Sequence, residues 1–177
     1  MEQPPGKTAM DVALGISEGL ARSVVAAEVD GRIIDATRPL GDLAGGDEPL
    51  SLRLLTARDP ESLGVLRHSA AHVMARAVMR LYDGVSLAFG PTTEGGFYYD
   101  FDLPRSLTPD DLPVIESKMA EIIAQDLPFT NEEVAREEAK GIFAEQPYKL
   151  ELIDEIPEER MGIYRQGSFV DLCRGPH

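Results

Sequence analysis

The chain is short of cysteine, of positive charge and of long apolar runs, and each shortage excludes a class of protein. One cysteine, Cys173, cannot form an internal disulfide, which favours a reducing compartment such as the cytoplasm. No apolar run approaches the roughly 20 residues that span a bilayer, and the first residues lack the apolar core of a secretory signal. Lysine and arginine number 17 against 31 acidic residues, for a net charge of −14. Any contact with nucleic acid must therefore be local, or be supported by a basic region outside this chain.

Two pairs of residues with the same spacing are the most informative feature that is present. His68 and His72 form an His-x-x-x-His pair, and Cys173 and His177 form a Cys-x-x-x-His pair. Either pair alone is weak evidence, because an isolated histidine pair is often incidental and a lone cysteine is usually a small buried side chain. Together they supply most of the groups that proteins use to bind zinc or to activate water. The combination therefore predicts a chemical site.

The local patterns predict an α+β protein of two domains, at residues 1–58 and 59–177. With 177 residues and 43% apolar content, the chain can bury a sizeable core. In the first domain, Asp30-Gly31 lies between β-forming residues, which is the strongest short signal for a hairpin. Residues 11–14 predict a short helix ahead of this hairpin, and alternating leucines over 50–54 predict a strand after it.

A long helix is predicted to open the second domain. Asp59 is a favourable N-cap and Pro60 suits the first helical position, so the helix should run from there to about Tyr82. Its apolar stripe comprises Leu66, Ala70, Val73, Met74, Ala77 and Leu81. On a helical wheel, His68 and His72 fall on the side opposite this stripe. That position argues against a pair of core histidines.

The rest of the second domain is predicted to contain two further helices and an antiparallel sheet beside the long helix. The helices are expected at 110–126 and 131–145, and the strands at 97–102, 148–153, 162–165 and 168–172. Thr130 and Glu133 match a capping box for the second of these helices. Gln166-Gly167 is the expected turn of a hairpin between the last two strands.

These elements are expected to bring the chemically active side chains into one groove. Residues four apart on a helix project side by side, so His68 and His72 can converge on one atom. Because side chains alternate along a strand, Asp171 and Cys173 should share one face. The turn after Cys173 can then direct the last residue back towards them. The expected groove holds His68, His72, Asp171, Cys173 and His177, and Lys149 joins it if its strand is adjacent.

Six stretches make the chain resemble a known family. They are MDVA, EVDGRIIDA, RHSAAH, GPTTEGGFYYDFD, PYKLELI and VDLCRGPH. The chain resembles the N-terminal part of bacterial threonyl-tRNA synthetases, in which a TGS module precedes an editing domain. The resemblance implies a small β-grasp module, followed by an α+β domain whose long helix packs on an antiparallel sheet. It also implies a fragment that is shortened at both ends and lacks the aminoacylation and anticodon-binding domains.

The resemblance implies hydrolysis of serine from tRNA(Thr) that has been mischarged with it. Asp171 is then expected to bind the ammonium group of serine. His68 and Lys149 are expected to position or activate water and to contact the ribose hydroxyls, and His72, Cys173 and His177 to complete the pocket. The residues expected to lie near the substrate or its adenosine are Tyr164, Gly95, Gly96, Phe97, Tyr98 and Tyr99.

The resemblance also sets expectations for cofactors and partners. Editing is expected to need no metal; if zinc is present, the ligands would be His68, His72, Cys173 and His177. ATP, magnesium and zinc are expected only in the ligase domain that this chain lacks. The expected partner is tRNA(Thr) carrying serine, with no membrane, and the parent enzyme is expected to be a homodimer through the missing domains.

Two other functions stay open at this point. The same pattern of histidines and cysteine occurs in alanyl-tRNA synthetase editing domains and their free-standing relatives, so the chain could be a zinc-dependent deacylase of that type. It could also be a non-catalytic TGS-type binding module, because small β-grasp modules serve many purposes. Zinc content and preference for an alanine-accepting tRNA would favour the first, and binding without turnover would favour the second.

Overall fold

The computed structural model describes residues 6–43 and 49–177, which form two units. One unit contains the described residues up to Leu66 together with Gly175–His177, and the other contains Arg67–Arg174. The two mix helices with small antiparallel sheets, so the predicted α+β class is confirmed. The predicted domain division at residues 58 and 59 stays a prediction. Within the described ranges, none of the helices combines the length and apolarity needed to cross a membrane.

The first unit is built on a hairpin and two short helices. Helix α1 (Ala9–Ile16) begins at a capping box in which Thr8 and Asp11 bond each other's backbone N–H groups, and α2 (Glu18–Ala21) follows it. Strands β1 (Val24–Val29) and β2 (Arg32–Ile34) pair through the predicted Asp30-Gly31 turn. Both turn residues have positive φ, 47° and 78°, as the commonest two-residue hairpin turn requires.

A third strand completes the sheet that the described residues of this unit form. Strand β3 (Leu52–Thr56) pairs antiparallel with β1, which gives the order β2-β1-β3. Residues Leu40–Leu43 form a 3-10 helix before it. Small and branched apolar side chains fill the two sides of the sheet: Ala9, Ala27, Val29 and Ile34 on one, and Ala26, Leu55 and Val65 on the other.

The long helix α3 (Ser62–Leu81) confirms the predicted element, but two of its predicted details are wrong. The Asp59 carboxylate does not cap the helix; it accepts hydrogen bonds from the backbone N–H and the hydroxyl of Thr56, at 2.7 and 2.9 Å. The predicted separation of a buried apolar stripe from a histidine side is also wrong, because Leu66 of the stripe is 43% exposed whereas His72 is only 3% exposed. From Ala71 to Val78 the helix is buried on nearly all sides, so no single apolar stripe describes it.

The second unit packs helices against a three-stranded antiparallel sheet, in which Arg160–Gln166 (β9) lies between Phe169–Leu172 (β10) and Thr130–Ala135 (β8). Helix α4 (Asp111–Ile123) lies close to its predicted position, and strands β9 (Arg160–Gln166) and β10 (Phe169–Leu172) form the predicted hairpin. Phe169 joins the core made by α3 and α4, which places the long helix against the sheet as expected. The short strands β4 (Ser86–Leu87) and β7 (Phe101–Asp102) form one pair, and β5 (Thr92–Thr93) and β6 (Gly96–Phe97) form another.

Two predicted elements of the second unit are wrong. Residues predicted to start a capped helix form β8 (Thr130–Ala135) instead, because each pairs with a residue of β9; helix α5 (Arg136–Ile142) begins only afterwards. The predicted strand at 148–153 is helix α6 (Pro147–Glu155), in which Pro147 occupies an N-terminal position that suits proline. The predicted strand 97–102 survives only as β6 and β7.

Candidate functional site

Two histidines lie one helical turn apart on α3, and one of them is deeply buried. The rings of His68 and His72 meet edge to face, with their centroids 5.0 Å apart. His72 is enclosed by the rings of Phe169 and Phe129, at 5.9 and 6.3 Å. Burial, with smaller contributions from the charges of His68 and Lys149, lowers the pKa of His72 to about 3. His72 is therefore a neutral imidazole at physiological pH.

A buried ion pair lies beside His72. Lys149 Nζ is 2.7 Å from Asp171 Oδ1, and the two side chains are 3% and 2% exposed. The Tyr99 hydroxyl donates to Asp171 Oδ2 at 2.6 Å and accepts from Lys149 Nζ at 3.1 Å. The Leu172 amide also donates to Asp171 Oδ1, at 2.8 Å, and His72 Nε2 lies 3.6 Å from Oδ2. One carboxylate thus organises a cation, a phenol and an imidazole.

Lys149 reaches this network from a helix that is fixed at both ends. The Gln146 amide at the start of α6 accepts from the Leu87 N–H at 2.7 Å and donates to the Val85 carbonyl at 3.3 Å. At the other end, the Arg136 guanidinium donates to three backbone carbonyls at and beyond the last turn of α6. These contacts hold α6 in place and so direct the Lys149 side chain into the core.

Tyr99 is positioned by a glycine and by a neighbouring ring. A Cβ atom at Gly90 would lie 2.2 Å from the Tyr99 ring, so the ring occupies space that only glycine leaves open. On its other side Tyr99 stacks on Phe101, with centroids 5.0 Å apart. Burial and the neighbouring charge of Asp171 raise the Tyr99 pKa well above its usual range. The phenol therefore stays protonated and acts as a hydrogen-bond donor.

Cys173 is placed next to His68 by a close approach between strand and turn. The Cys173 N–H donates to the Gly162 carbonyl at 3.0 Å, and a Cβ at Gly162 would lie 2.3 Å from the Cys173 carbonyl oxygen. The thiol then lies 3.1 Å from His68 Nε2. Asp171 and Cys173 therefore both face helix α3, as the alternation along the strand predicts, one towards His72 and the other towards His68.

The remaining predicted site residues occupy varied positions. Tyr164 is buried opposite Asp171 in the β9–β10 pair, and its hydroxyl accepts from the Asn131 amide at 3.3 Å. Gly95, Gly96 and Phe97 lie in or beside the β5–β6 hairpin, and Tyr98, which follows it, is 45% exposed. Arg67 holds this hairpin against α3, since it donates to the Thr93 and Glu94 carbonyls at 3.1 and 2.9 Å.

His177 belongs to the first unit. Its backbone N–H donates to the Asp35 carboxylate at 2.8 Å. Of the six residues predicted to line the groove, the second unit thus brings together His68, His72, Lys149, Asp171 and Cys173. The predicted roles of all of these side chains stay predictions.

Comparison with known proteins agrees with the resemblance seen in the sequence. The model of the TGS domain family matches residues 1–43. The threonine–tRNA ligase of Rhodopirellula baltica is 58% identical over 99% of this chain, which spans 24% of that protein. Those of Rubrobacter xylanophilus and Thermotoga maritima are each 50% identical, over 100% and 88% of the chain. The chain matches the N-terminal region of threonine–tRNA ligases. It spans about a quarter of the length of these relatives.

The donor set of this ligase-like region fits a zinc ion. One ligand atom from each of His68, His72 and Cys173 lies within 4.8 Å of the others. Imidazole nitrogen and thiolate sulfur are the ligands that zinc prefers, and catalytic zinc sites typically use three protein ligands and leave one position open. These three side chains of the second unit are the ones that would hold the metal.

Sequence reasoning missed one contributor to the site. Phe129 encloses His72 from a loop that carries no recognisable signal. Tyr99 is among the predicted site residues, and its hydroxyl contacts both members of the buried ion pair. Its predicted place near the substrate or its adenosine stays a prediction.

Proposed function

We propose that this chain is the editing part of a threonine–tRNA ligase and that it hydrolyses serine from mischarged Ser-tRNA(Thr). The observation that carries the proposal is the convergence of a carboxylate, a lysine, a phenol and two imidazoles in one small region of the second unit. In the whole ligase, ATP-dependent charging of tRNA(Thr) with threonine is assigned to the portion of the relatives that this chain does not span. The tRNA partner implies action in the cytoplasm.

The chemistry of the two amino acids explains why such a site is needed. Serine is threonine without one methyl group, so a pocket that holds threonine also admits serine. One methyl group in a pocket is worth only about 1–3 kcal/mol, which is too little for faithful translation. A second site that accepts serine and sterically rejects the additional methyl group corrects the error by hydrolysis.

The side chains of the second unit match the requirements of ester hydrolysis. The reaction needs a positioned water, a donor for the developing oxyanion and a partner for the α-ammonium group of serine. We assign water placement to His68, which lies beside Cys173, and oxyanion stabilisation to Lys149. Asp171 supplies the negative charge for the ammonium group. Tyr99 holds that carboxylate in place through a hydrogen bond, and the neutral His72 ring lies beside it.

We propose that this hydrolysis proceeds without a resident metal. When bound, zinc would polarise a water molecule and lower its pKa to about 7. The alternative supported by this chain's own residues is that the His68 imidazole accepts a proton from water while Lys149 stabilises the negative charge. Stoichiometric zinc in the purified protein, lost together with activity on chelation and restored together with it, would contradict this proposal.

The acidity of the chain bears on how the tRNA is held. With a net charge of −14, this region is poorly suited to grip a polyanion unaided. We propose that the remaining domains of the ligase supply most of the contacts to tRNA(Thr), and that they also form the homodimer. The region described here then contacts mainly the terminal adenosine and its ester, with Tyr164 and the hairpin residues Gly95 to Tyr98 as the proposed contacts.

The test is deacylation of Ser-tRNA(Thr) against Thr-tRNA(Thr), performed with the chain itself and with the chain joined to the remaining ligase domains. We expect release selective for serine, reduced about 100-fold or more by His68→Ala or Asp171→Ala, the usual range for loss of a positioned acid, base or charge. Asp154→Ala, on the exposed side of α6, is the matched control and should keep full activity.

The other outcomes separate the alternatives. Equal release of serine and threonine, or full activity in both variants, would contradict editing at this site. Zinc-dependent release from an alanine-accepting tRNA would favour the alanyl-type deacylase. Tight tRNA binding with no release in either protein would favour a binding module.

A further inference from the structure

The Asp171 carboxylate is already engaged on nearly every side. Its Oδ1 accepts from Lys149 at 2.7 Å and from the Leu172 amide at 2.8 Å, and its Oδ2 accepts from Tyr99 at 2.6 Å. The remaining side of Oδ2 lies 3.6 Å from His72 Nε2. A carboxylate offers about four lone-pair sites. Three donors occupy three of these sites, and the fourth faces the buried His72 ring, so a substrate ammonium reaches Asp171 by displacing one of these four neighbours.

Charge decides which donor is replaced. Lys149 and Asp171 are both buried, and they form a pair of opposite charges. If a substrate ammonium were added while Lys149 stayed, two cations would share one carboxylate in a buried site, which is strongly unfavourable. Replacing the neutral phenol, amide or imidazole would leave both cations in contact with Asp171. Replacing Lys149 leaves one ammonium group in contact with Asp171, and the displaced lysine then faces the ester, whose oxygen gains negative charge during hydrolysis.

We propose, on the basis of the editing function above, that the α-ammonium of the seryl ester displaces Lys149 from Asp171 and thereby activates it. In the free protein, Lys149 occupies the position that the substrate ammonium takes. The Tyr99 hydroxyl contacts both Asp171 and Lys149, so it can keep its hydrogen bond to the lysine after the lysine has left the carboxylate. An ammonium group has three donors, so the displaced lysine can also reach the oxyanion.

This exchange makes the cation available only when an ester with a free amino group is bound. An ester whose amino group is acylated lacks the charge needed to remove Lys149, so it should be neither bound at Asp171 nor hydrolysed. The inference thus assigns Lys149 a second role, as an internal competitor for the substrate ammonium.

A binding measurement separates this role from a merely structural one. The probe is the amide of serine with 3′-amino-3′-deoxyadenosine, which cannot be hydrolysed. In Lys149→Met the competitor is gone, so we expect the Kd of the probe to fall by about tenfold or more, while Ser-tRNA(Thr) deacylation falls by about 100-fold. Lys140→Met, which removes a lysine paired with Asp154 on α6, should leave both quantities unchanged. An unchanged or higher Kd in Lys149→Met would overturn the exchange.

A second measurement needs no variant in the site. The chain contains four lysines, so the ammonium signals of protein labelled with 15N-lysine are few enough to resolve. Saturating the parent protein with the seryl probe should move the Lys149 signal, and the N-acetylseryl probe should not. A bound seryl probe that leaves the Lys149 signal unmoved overturns the exchange but not editing. A parent protein that neither binds the probe nor releases serine overturns the proposed editing function, and the exchange with it.

Discussion

Acidification should destabilise the second unit through a single buried histidine. His72 has a pKa of about 3 in the folded protein, against an ordinary value of 6.5. The folded state therefore binds fewer protons than the unfolded state between these values. The stability that neutral His72 contributes is complete above pH 6.5 and is lost as the pH falls towards 3. At pH 4.5 the unfolded chain has gained this proton and the folded chain has not, which removes about 2–3 kcal/mol of unfolding free energy.

The tyrosines provide an assay that reports on the second unit. The chain has five tyrosines and no tryptophan, and all five lie within residues 67–174. Tyrosine fluorescence during urea unfolding of metal-free protein therefore follows this unit. The quantity of interest is the loss of unfolding free energy between pH 7 and pH 4.5, compared between the parent protein and His72→Gln. Carboxylates remote from position 72 titrate alike in both proteins and cancel in the comparison.

We expect His72→Gln to lose about 2–3 kcal/mol less than the parent protein on acidification. His68→Gln is the matched control, because burial is the main cause of the low His72 pKa and persists in that variant. It should lose almost as much as the parent. If parent and His72→Gln lose the same free energy to within about 0.5 kcal/mol, the inference of a neutral buried His72 is refuted.

Two further predictions concern contacts that position the site, and both use the same urea assay. Gly162→Ala should lower the free energy of unfolding by at least about 1–3 kcal/mol, because its Cβ would lie 2.3 Å from the Cys173 carbonyl oxygen. Gly141→Ala, in helix α5 with open space around the new Cβ, should be neutral or stabilising. Equal effects of the two substitutions would contradict this prediction. Arg136→Met should lower the free energy of unfolding by about 2–4 kcal/mol, because the backbone carbonyls of Ile153, Ile156 and Glu158 lose a charged donor. Arg174→Met, whose side chain is 77% exposed, should cost under about 1 kcal/mol, and a comparable loss in both variants would argue against the role of Arg136.

Turns and helical spacing could be predicted from the sequence because the relevant energetics are local. The Asp30-Gly31 hairpin follows from the backbone conformations that these two residues adopt most readily. The proximity of His68 and His72 follows from the geometry of a helix, whichever way the helix faces. The expected convergence of these histidines with Asp171 and Cys173 needed, in addition, only the alternation of side chains along a strand.

The errors arose where tertiary contacts override local preference. Thr130 and Glu133 match a capping box, but β9 offers this segment a complete set of strand partners, and the segment pairs with it. The alternation in Tyr148–Ile153 suggested a strand, whereas Pro147 signalled the start of a helix. Lys149 still reaches Asp171, from a different element than expected. The burial of His72 depends on two phenylalanines that the sequence does not connect to it.

The close approach of Gly90 to the Tyr99 ring constrains how this protein can vary. A residue with a side chain at position 90 would fit only if the ring at 99 became smaller, and a smaller residue there would lose the phenol that contacts Asp171. An inherited change at position 90 should therefore be rescued in folding by a second change at 99, yet remain defective in the proposed editing reaction. A genetic screen that selects for protein abundance alone would recover such double alleles, and, under the proposed function, a screen that selects for accurate translation would not.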